Sequence, residues 1–479
     1  MLSTYNNQWL SADPPLPPMP ASARKVELWW LCGLILSFAH ERPILVLTSM
    51  DRINPRLFDV MVVIGILFVL PKLRRAVRLP REFYYWALIV TIFVFCALIY
   101  AIALLPFQYG AYSLFFAAKY LEGLIVIYMA LKIPLSQEQK VKVIWTIAIG
   151  GVYVATFSIY QYFTTTVGGT IEIAPGKFVR YFSKILTGPL SYSYFHLAQF
   201  SSLCAIVTLS LVETVRGTAK RWGVVVLAGF VSWPLFFSGS RTGLALLAFS
   251  TAFGFLLLRG AKSYFLGLLL VIGVVLIVAP ISTNMEMLNE SATFSRLSGS
   301  EGSHNSIENR LTSVFRLNLD NYKWSTLMPL IGGGFYVAPT IEGSYERYRV
   351  GYGFHNTYLF AFEQGGILAA IVFLYFLYAI IRKLNRVRKV GAAADRAFAI
   401  AALSYMLASL PIYLAGQIFW MGFESGHFNA FLLIVLLIAS RPTVVTAGAS
   451  ARQMHDSAYR PVVSVAASAT TTLRPIRNI

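Results

Sequence analysis

Residues 351–382 read GYGFHNTYLFAFEQGGILAAIVFLYFLYAIIR, an apolar stretch that opens on His355 and Asn356 and carries Glu363 two turns further in. Its length matches a bilayer-crossing helix. Ionisable groups at membrane depth are costly, by roughly 2.5–3.5 kcal/mol on insertion scales. The reading of this stretch therefore sets two questions: how many such spans the chain holds, and what compensates the polar groups at their ends.

The whole chain of 479 residues is 57% hydrophobic and only 13% charged, with a mean hydropathy of +0.64. A soluble protein carries about a quarter charged residues. Apolar runs of roughly 15 to 25 residues, separated by short basic loops, point to an all-α polytopic membrane protein. A β-barrel would show weaker alternating segments. Cys32, Cys96 and Cys204 lie within apolar runs with no metal-like spacing, so no disulfide framework or zinc site is implied. The N-terminus (MLSTYNNQWLSADPPLPPMPASARK) is polar and proline-rich and lacks a signal-peptide pattern. Residues 1–24 and 442–479 read as disordered tails flanking a membrane domain over 25–441.

About twelve spans are expected, beginning near Val26, Leu57, Phe83, Tyr112, Val143, Ser191, Trp222, Leu244, Tyr264, His355, Ala397 and Glu424. Between the first two, HERPILVLTSMDRINP (40–55) is partly apolar and is a candidate re-entrant segment. The twelve-span arrangement puts 26 basic and 7 acidic residues on one side, 13 and 12 on the other. The strongly basic side is expected to be cytoplasmic, where anionic headgroups suit it. That accounts for the +19 net charge without any nucleic-acid partner. Both termini are then cytoplasmic. Residues 164–190 and a large loop over about 282–354 face out, the latter rich in Ser, Asn and Gly first and in Trp and Tyr later.

Four basic features fall on the outer side. Lys177, Arg180 and Lys184 precede the sixth span; Arg241 sits in the short hairpin SGSRTG; Arg310 and Arg316 lie in the large loop; His355 opens the tenth span. Arg241 reads either as an interfacial arginine snorkelling to headgroups or as a phosphate clamp, its planar fork matching phosphate oxygens. His355 reads as a helix anchor or as a general base. Asn356 is suited to capping the helix start. Glu363 lies about 80° round the helix from His355, and reads as an organiser of helix packing or as part of the chemistry. Lys119 and Glu122 in AAKYLEG stand i,i+3 and are expected to pair with each other. The chain has no P-loop, no HExxH, no DxD-type carboxylate cluster and no GxSxG elbow.

FFSGSRTGLALL, then a long outer loop, then PLIGGGFY, then HNTYLFAFEQGGILAAIVFLYFLY together resemble the bacterial O-antigen ligase and O-antigen polymerase superfamily. The motif resemblance covers roughly residues 180–385. It implies a C-type membrane glycosyltransferase fold in the bacterial inner membrane with a periplasmic active site. It further implies an undecaprenyl-pyrophosphate-linked glycan as donor, an acceptor glycan or glycolipid hydroxyl, and inverting transfer without a cofactor or obligatory metal. On this resemblance His355 activates the acceptor, while Arg241 and a loop arginine bind pyrophosphate. Arg310 is the preferred loop arginine, with Arg316 as its alternative and Arg180 as a further donor contact. Lys184, Glu363 and Asn356 complete the candidate set.

Ligase and polymerase share a donor and differ in acceptor, which the residues do not identify. Two different readings compete: a transporter or flippase of lipid-linked oligosaccharide, and a non-catalytic partner in polysaccharide assembly. The first would line a continuous path through the bilayer with basic residues and pair broken helices in two halves. Here the candidate basic residues gather on one face.

Overall fold

The computed structural model describes residues 23–44, 55–73, 77–103, 107–164, 170–174, 177–180, 186–190, 194–238, 240–258, 262–269, 330, 332, 357–414 and 426–443. These are almost entirely helical. Among the described residues, six helical segments are long and apolar enough to cross a membrane: Arg81–Ile99, Leu114–Lys132, Gln137–Thr164, Phe195–Glu213, Gln364–Val390 and Ala393–Ile412. This is the build of a helical membrane protein.

The helices are α1 (Lys25–Ser37), α2 (Leu57–Ile64), α3 (Arg81–Ala103), α4 (Phe107–Lys132), α5 (Gln137–Thr164), α6 (Tyr194–Ser210), α7 (Thr218–Phe237), α8 (Arg241–Leu257), α9 (Thr357–Val390), α10 (Ala393–Ile412) and α11 (Gly426–Ala439). Residues 262–269 are also helical. The structure adds one feature to the all-α expectation. Strands β1 (Thr170–Ala174) and β2 (Lys177–Arg180) pair antiparallel, with Thr170 opposite Arg180. Their sequence, TIEIA and KFVR around Pro175–Gly176, combines β-branched and aromatic residues with turn formers.

Helix α6 is the centre of the bundle, with 94% of its apolar window buried. It packs against α5, α7, α8 and α10, while α9 packs on α3 and α10, and α11 on α4. Phe38, Phe58, Phe200 and Phe431 form one aromatic junction, Phe200 stacking on Phe431 at 5.0 Å.

The first two helices are short, and residues 45–54 of the candidate re-entrant segment between them lie outside the described residues. Helix α1 has 13 residues, about 20 Å of rise against a hydrocarbon core of about 30 Å. Helix α2 has 8 residues and continues as a five-residue π-helix, Gly65–Val69. Asp59 in its first turn meets Lys119 at 2.5 Å, and Lys119 also meets Glu122 at 2.8 Å. Lys119 is twelve residues along α4, roughly 18 Å from its start. The start of α2 therefore lies level with the middle of α4. The expected Lys119–Glu122 pair is present, and Asp59 is a third member that sequence spacing did not reveal.

At the Gln137 end of α5 a second polar cluster ties the bundle together. Ser136 and Gln139 form a capping box, Gln139 N donating to Ser136 Oγ at 3.2 Å and Ser136 N to Gln139 Oε1 at 3.1 Å. The Gln139 amide also bonds both backbone groups of Ala23. Lys140 and Asp395, both buried, pair at 2.5 Å. The Asp395 carboxylate further accepts from Gln137 Nε2 at 2.6 Å and from Thr443 N and Oγ1, each at 2.9 Å. Lys140 also donates to Arg441 O, and Arg441 to Leu131 O. Burial pulls the Arg441 guanidinium down to about 10. Lys383 of α9 meets Glu82 of α3 at 3.0 Å.

Candidate functional site

The site builds from the start of α8. Ser240 is its N-cap, accepting from Gly243 N at 3.1 Å, and itself donates through its backbone to Ser238 Oγ at 3.2 Å. This is why SGSRTG turns so tightly: two serines supply the hydrogen bonds that a longer loop would otherwise provide. Arg241 is then the first helical residue and is half-buried. A cation there opposes the helix dipole, whose positive end favours anions by about 0.3–1 kcal/mol. The backbone N–H groups of a helix start suit an anion.

Helix α6 fixes that turn in place. A Cβ on Gly243 would stand 2.5 Å from Ala198 Cβ, so only glycine permits this approach. Ser202 Oγ donates to Gly243 O at 3.0 Å. On the same two turns of α6, His196 and Gln199 are buried, and His196 Nδ1 lies 3.9 Å from Glu41 Oε2. That separation is longer than a hydrogen bond. The segment 186–190 packs beside them. Gln161 Oε1 accepts from Thr187 N at 3.2 Å and Gly188 N at 2.8 Å, and Glu41 N donates to Pro189 O at 3.1 Å. Glu41 and His196 escaped the sequence reading. The signal was HERP itself, charged residues set between two apolar runs.

The second part of the site is a break in α9. Gly365 and Gly366 leave helical geometry, Gly366 at φ 66° and ψ −168°, a region essentially reserved for glycine. Gly332, from IGGGF, adopts φ +77° and lies directly on this break. A Cβ on Gly332 would stand 2.3 Å from Gly366 N and 2.5 Å from Gly365 N. The Gly-rich turn and the EQGG segment, singled out separately in the sequence, are thus in contact. The tenth span, expected as one helix from His355, is instead two pieces joined at this break. Its first piece is held to the end of α10: Thr357 N donates to Tyr413 O at 2.8 Å, and Tyr358 OH to Leu410 O at 3.1 Å.

Of the expected site residues, Arg241 opens α8, Arg180 ends β2, and Glu363 lies in α9 two positions before Gly365. His355, Asn356, Arg310, Arg316 and Lys184 lie outside the described residues, as do both expected tails apart from residues 23–24 and 442–443. The described part therefore packs the start of α8, at Gly243, on α6, and Gly332 on the α9 break. Among the described residues no three His, Cys, Asp or Glu side chains gather as metal ligands would.

Nearer α1, His40 Nδ1 and Tyr153 OH are 2.8 Å apart. Burial, with the adjacent Arg42 charge, holds the His40 imidazole below its ordinary range and so neutral at physiological pH. No family model matches this chain, and a search of curated proteins finds no match either.

Proposed function

We propose that this chain is a glycosyltransferase of the bacterial inner membrane, with about twelve spans, cytoplasmic termini and a periplasmic site. It takes a glycan from an undecaprenyl-pyrophosphate donor and joins it to an acceptor sugar hydroxyl, as a surface-polysaccharide polymerase or an O-antigen ligase does. The observation that supports this best is the contact of Gly332 with Gly365 and Gly366, since two motifs of the resemblance then frame one place. The start of α8 adds a second support: Arg241 is presented at a helix end suited to anions.

In the proposed reaction the acceptor oxygen attacks the anomeric carbon from the face opposite the leaving group. A new C–O bond forms, and the C–O bond to pyrophosphate breaks with inversion. His355 takes the hydroxyl proton, help worth about 10²–10⁴-fold. Arg241 and Arg310, with Arg316 as alternative to the latter, stabilise the charge gathering on pyrophosphate. Arg180 is a further donor contact, and Asn356 and Glu363 orient the helix that carries the base.

The test is glycan transfer by purified protein in nanodiscs, using a polyprenyl-pyrophosphate-linked oligosaccharide with acceptor present. His355→Ala should lower turnover about 10²–10⁴-fold. Arg241→Lys, which keeps the charge and loses the fork, should also fall. Transfer by His355→Ala at the wild-type rate would overturn the base assignment. Wild-type protein inert towards every such donor and acceptor would overturn the function.

A further inference from the structure

Arg42 is an exposed cation that the proposed transfer step does not use. It follows α1, and its guanidinium lies 5.0 Å from the Phe157 ring centroid. One N–H donates to Gly188 O at 3.3 Å, and among the described residues no carboxylate pairs with it. The neighbouring Glu41 points elsewhere, buried beside His196. His40, neutral and bonded to Tyr153, adds no competing charge. Guanidinium has five donors in a planar fork, so most of this one is uncommitted within the described residues.

Below Arg42 runs an exposed apolar stripe. Ile149 and Tyr153 of α5 are 56% and 41% exposed and stand i,i+4 on one face; Leu36 of α1 borders them at 37%. The two helices approach at Gly150, where a Cβ would stand 3.6 Å from Ala39 and 3.8 Å from Leu36. Phe157 is seven residues short of the end of α5, and Ile149 is eight residues further in, about 12 Å deeper. The arrangement is a spare guanidinium at the top of an exposed apolar face. That is the outline of a lipid with a phosphate head.

We propose that this α1–α5 face docks the polyprenyl diphosphate moiety of the donor, with Arg42 holding phosphate and the Leu36–Ile149–Tyr153 stripe holding the first isoprene units. The assignment rests on the transferase reading above. One observation favours this occupant over a glycerophospholipid. Arg42 is linked towards the site: its acceptor Gly188 packs on Leu197, whose neighbour Ala198 touches Gly243 beside Arg241. A diphosphate docked here has a short path to the start of α8.

The experiment uses the full chain in phosphatidylcholine nanodiscs with undecaprenyl diphosphate carrying a photoreactive group in its first isoprene units. Wild-type protein should bind it saturably and crosslink within Leu36 or Ile149–Tyr153. R42Q should raise Kd about 10–100-fold, the size of a lost charge-assisted hydrogen bond. R42K, which keeps the cation, should lose less. R42Q binding as tightly as wild type would overturn the docking site and leave the transferase reading standing. Displacement of the crosslink by an equal mole fraction of phosphatidylglycerol would identify a general phospholipid site and also overturn it. Wild-type protein that binds no polyprenyl diphosphate would overturn both.

Discussion

Gly332→Ala is the substitution that most directly probes the contact between the two glycine motifs. The added Cβ would stand 2.3 Å from Gly366 N, 2.5 Å from Gly365 N and 2.6 Å from Gly365 C, where ordinary contact begins at 3.4 Å. The obstructing atoms are backbone, so no side chain can swing aside. The separation must grow by about 1 Å. Left-handed backbone adds about 1–2 kcal/mol for a residue with a Cβ, and overpacking about 1–3 kcal/mol. The total is about 2–5 kcal/mol, relieved most cheaply by lifting the turn off the α9 break. A displacement of about 1 Å in a catalytic framework costs about 10²-fold in rate. The assay is glycan transfer per folded molecule, with folded protein quantified by size-exclusion chromatography. Gly223→Ala is the control, because nothing lies within 4 Å of its new Cβ. A Gly332→Ala protein with a per-molecule rate within twofold of wild type would refute the claim that this contact shapes the site.

Two further outcomes test the frame around it. Asp395→Asn leaves Lys140 buried without its carboxylate and should cost about 3–5 kcal/mol, whereas Lys140→Met with Asp395→Leu should restore most of that; thermal unfolding in detergent reads both, and an unshifted Asp395→Asn melt would sink the idea. Ser240→Ala removes the cap on Gly243 N and should cost about 0.5–2 kcal/mol. Because Arg241 follows that cap, donor affinity should weaken in parallel, and unchanged values for both would count against the cap as its anchor.

How far the sequence carried depends on whether a feature is local. Lys119 and Glu122 are three apart on one helix, so their pairing was legible; Asp59 arrives from α2, 60 residues away, and was not. SGSRTG announced a tight hairpin, and the structure makes it one through Ser238 and Ser240. The break at Gly365–Gly366 was hidden because a glycine pair inside an apolar run is compatible with a continuous helix. What decides against one is Gly332, brought onto those two backbones by tertiary packing. Glu41 and His196, 155 positions apart, became visible as a pair only once α1 ended short and turned towards α6.

The Lys140–Asp395 cluster also has a meaning in time. The lysine is made 255 residues before its carboxylate. At about 5–20 residues per second, the ribosome needs roughly 13–50 s to deliver α10. Throughout that interval α5 carries an uncompensated ammonium that becomes dry only in the finished bundle. A segment in that position is best kept near the lipid–water boundary, or sheltered by insertion machinery, until synthesis nears completion. The residues that relieve it, Asp395 and the backbone of Arg441, come late in the chain. Final closure of the bundle is thereby coupled to the emergence of α10, and a chain truncated before α10 would keep Lys140 without its carboxylate.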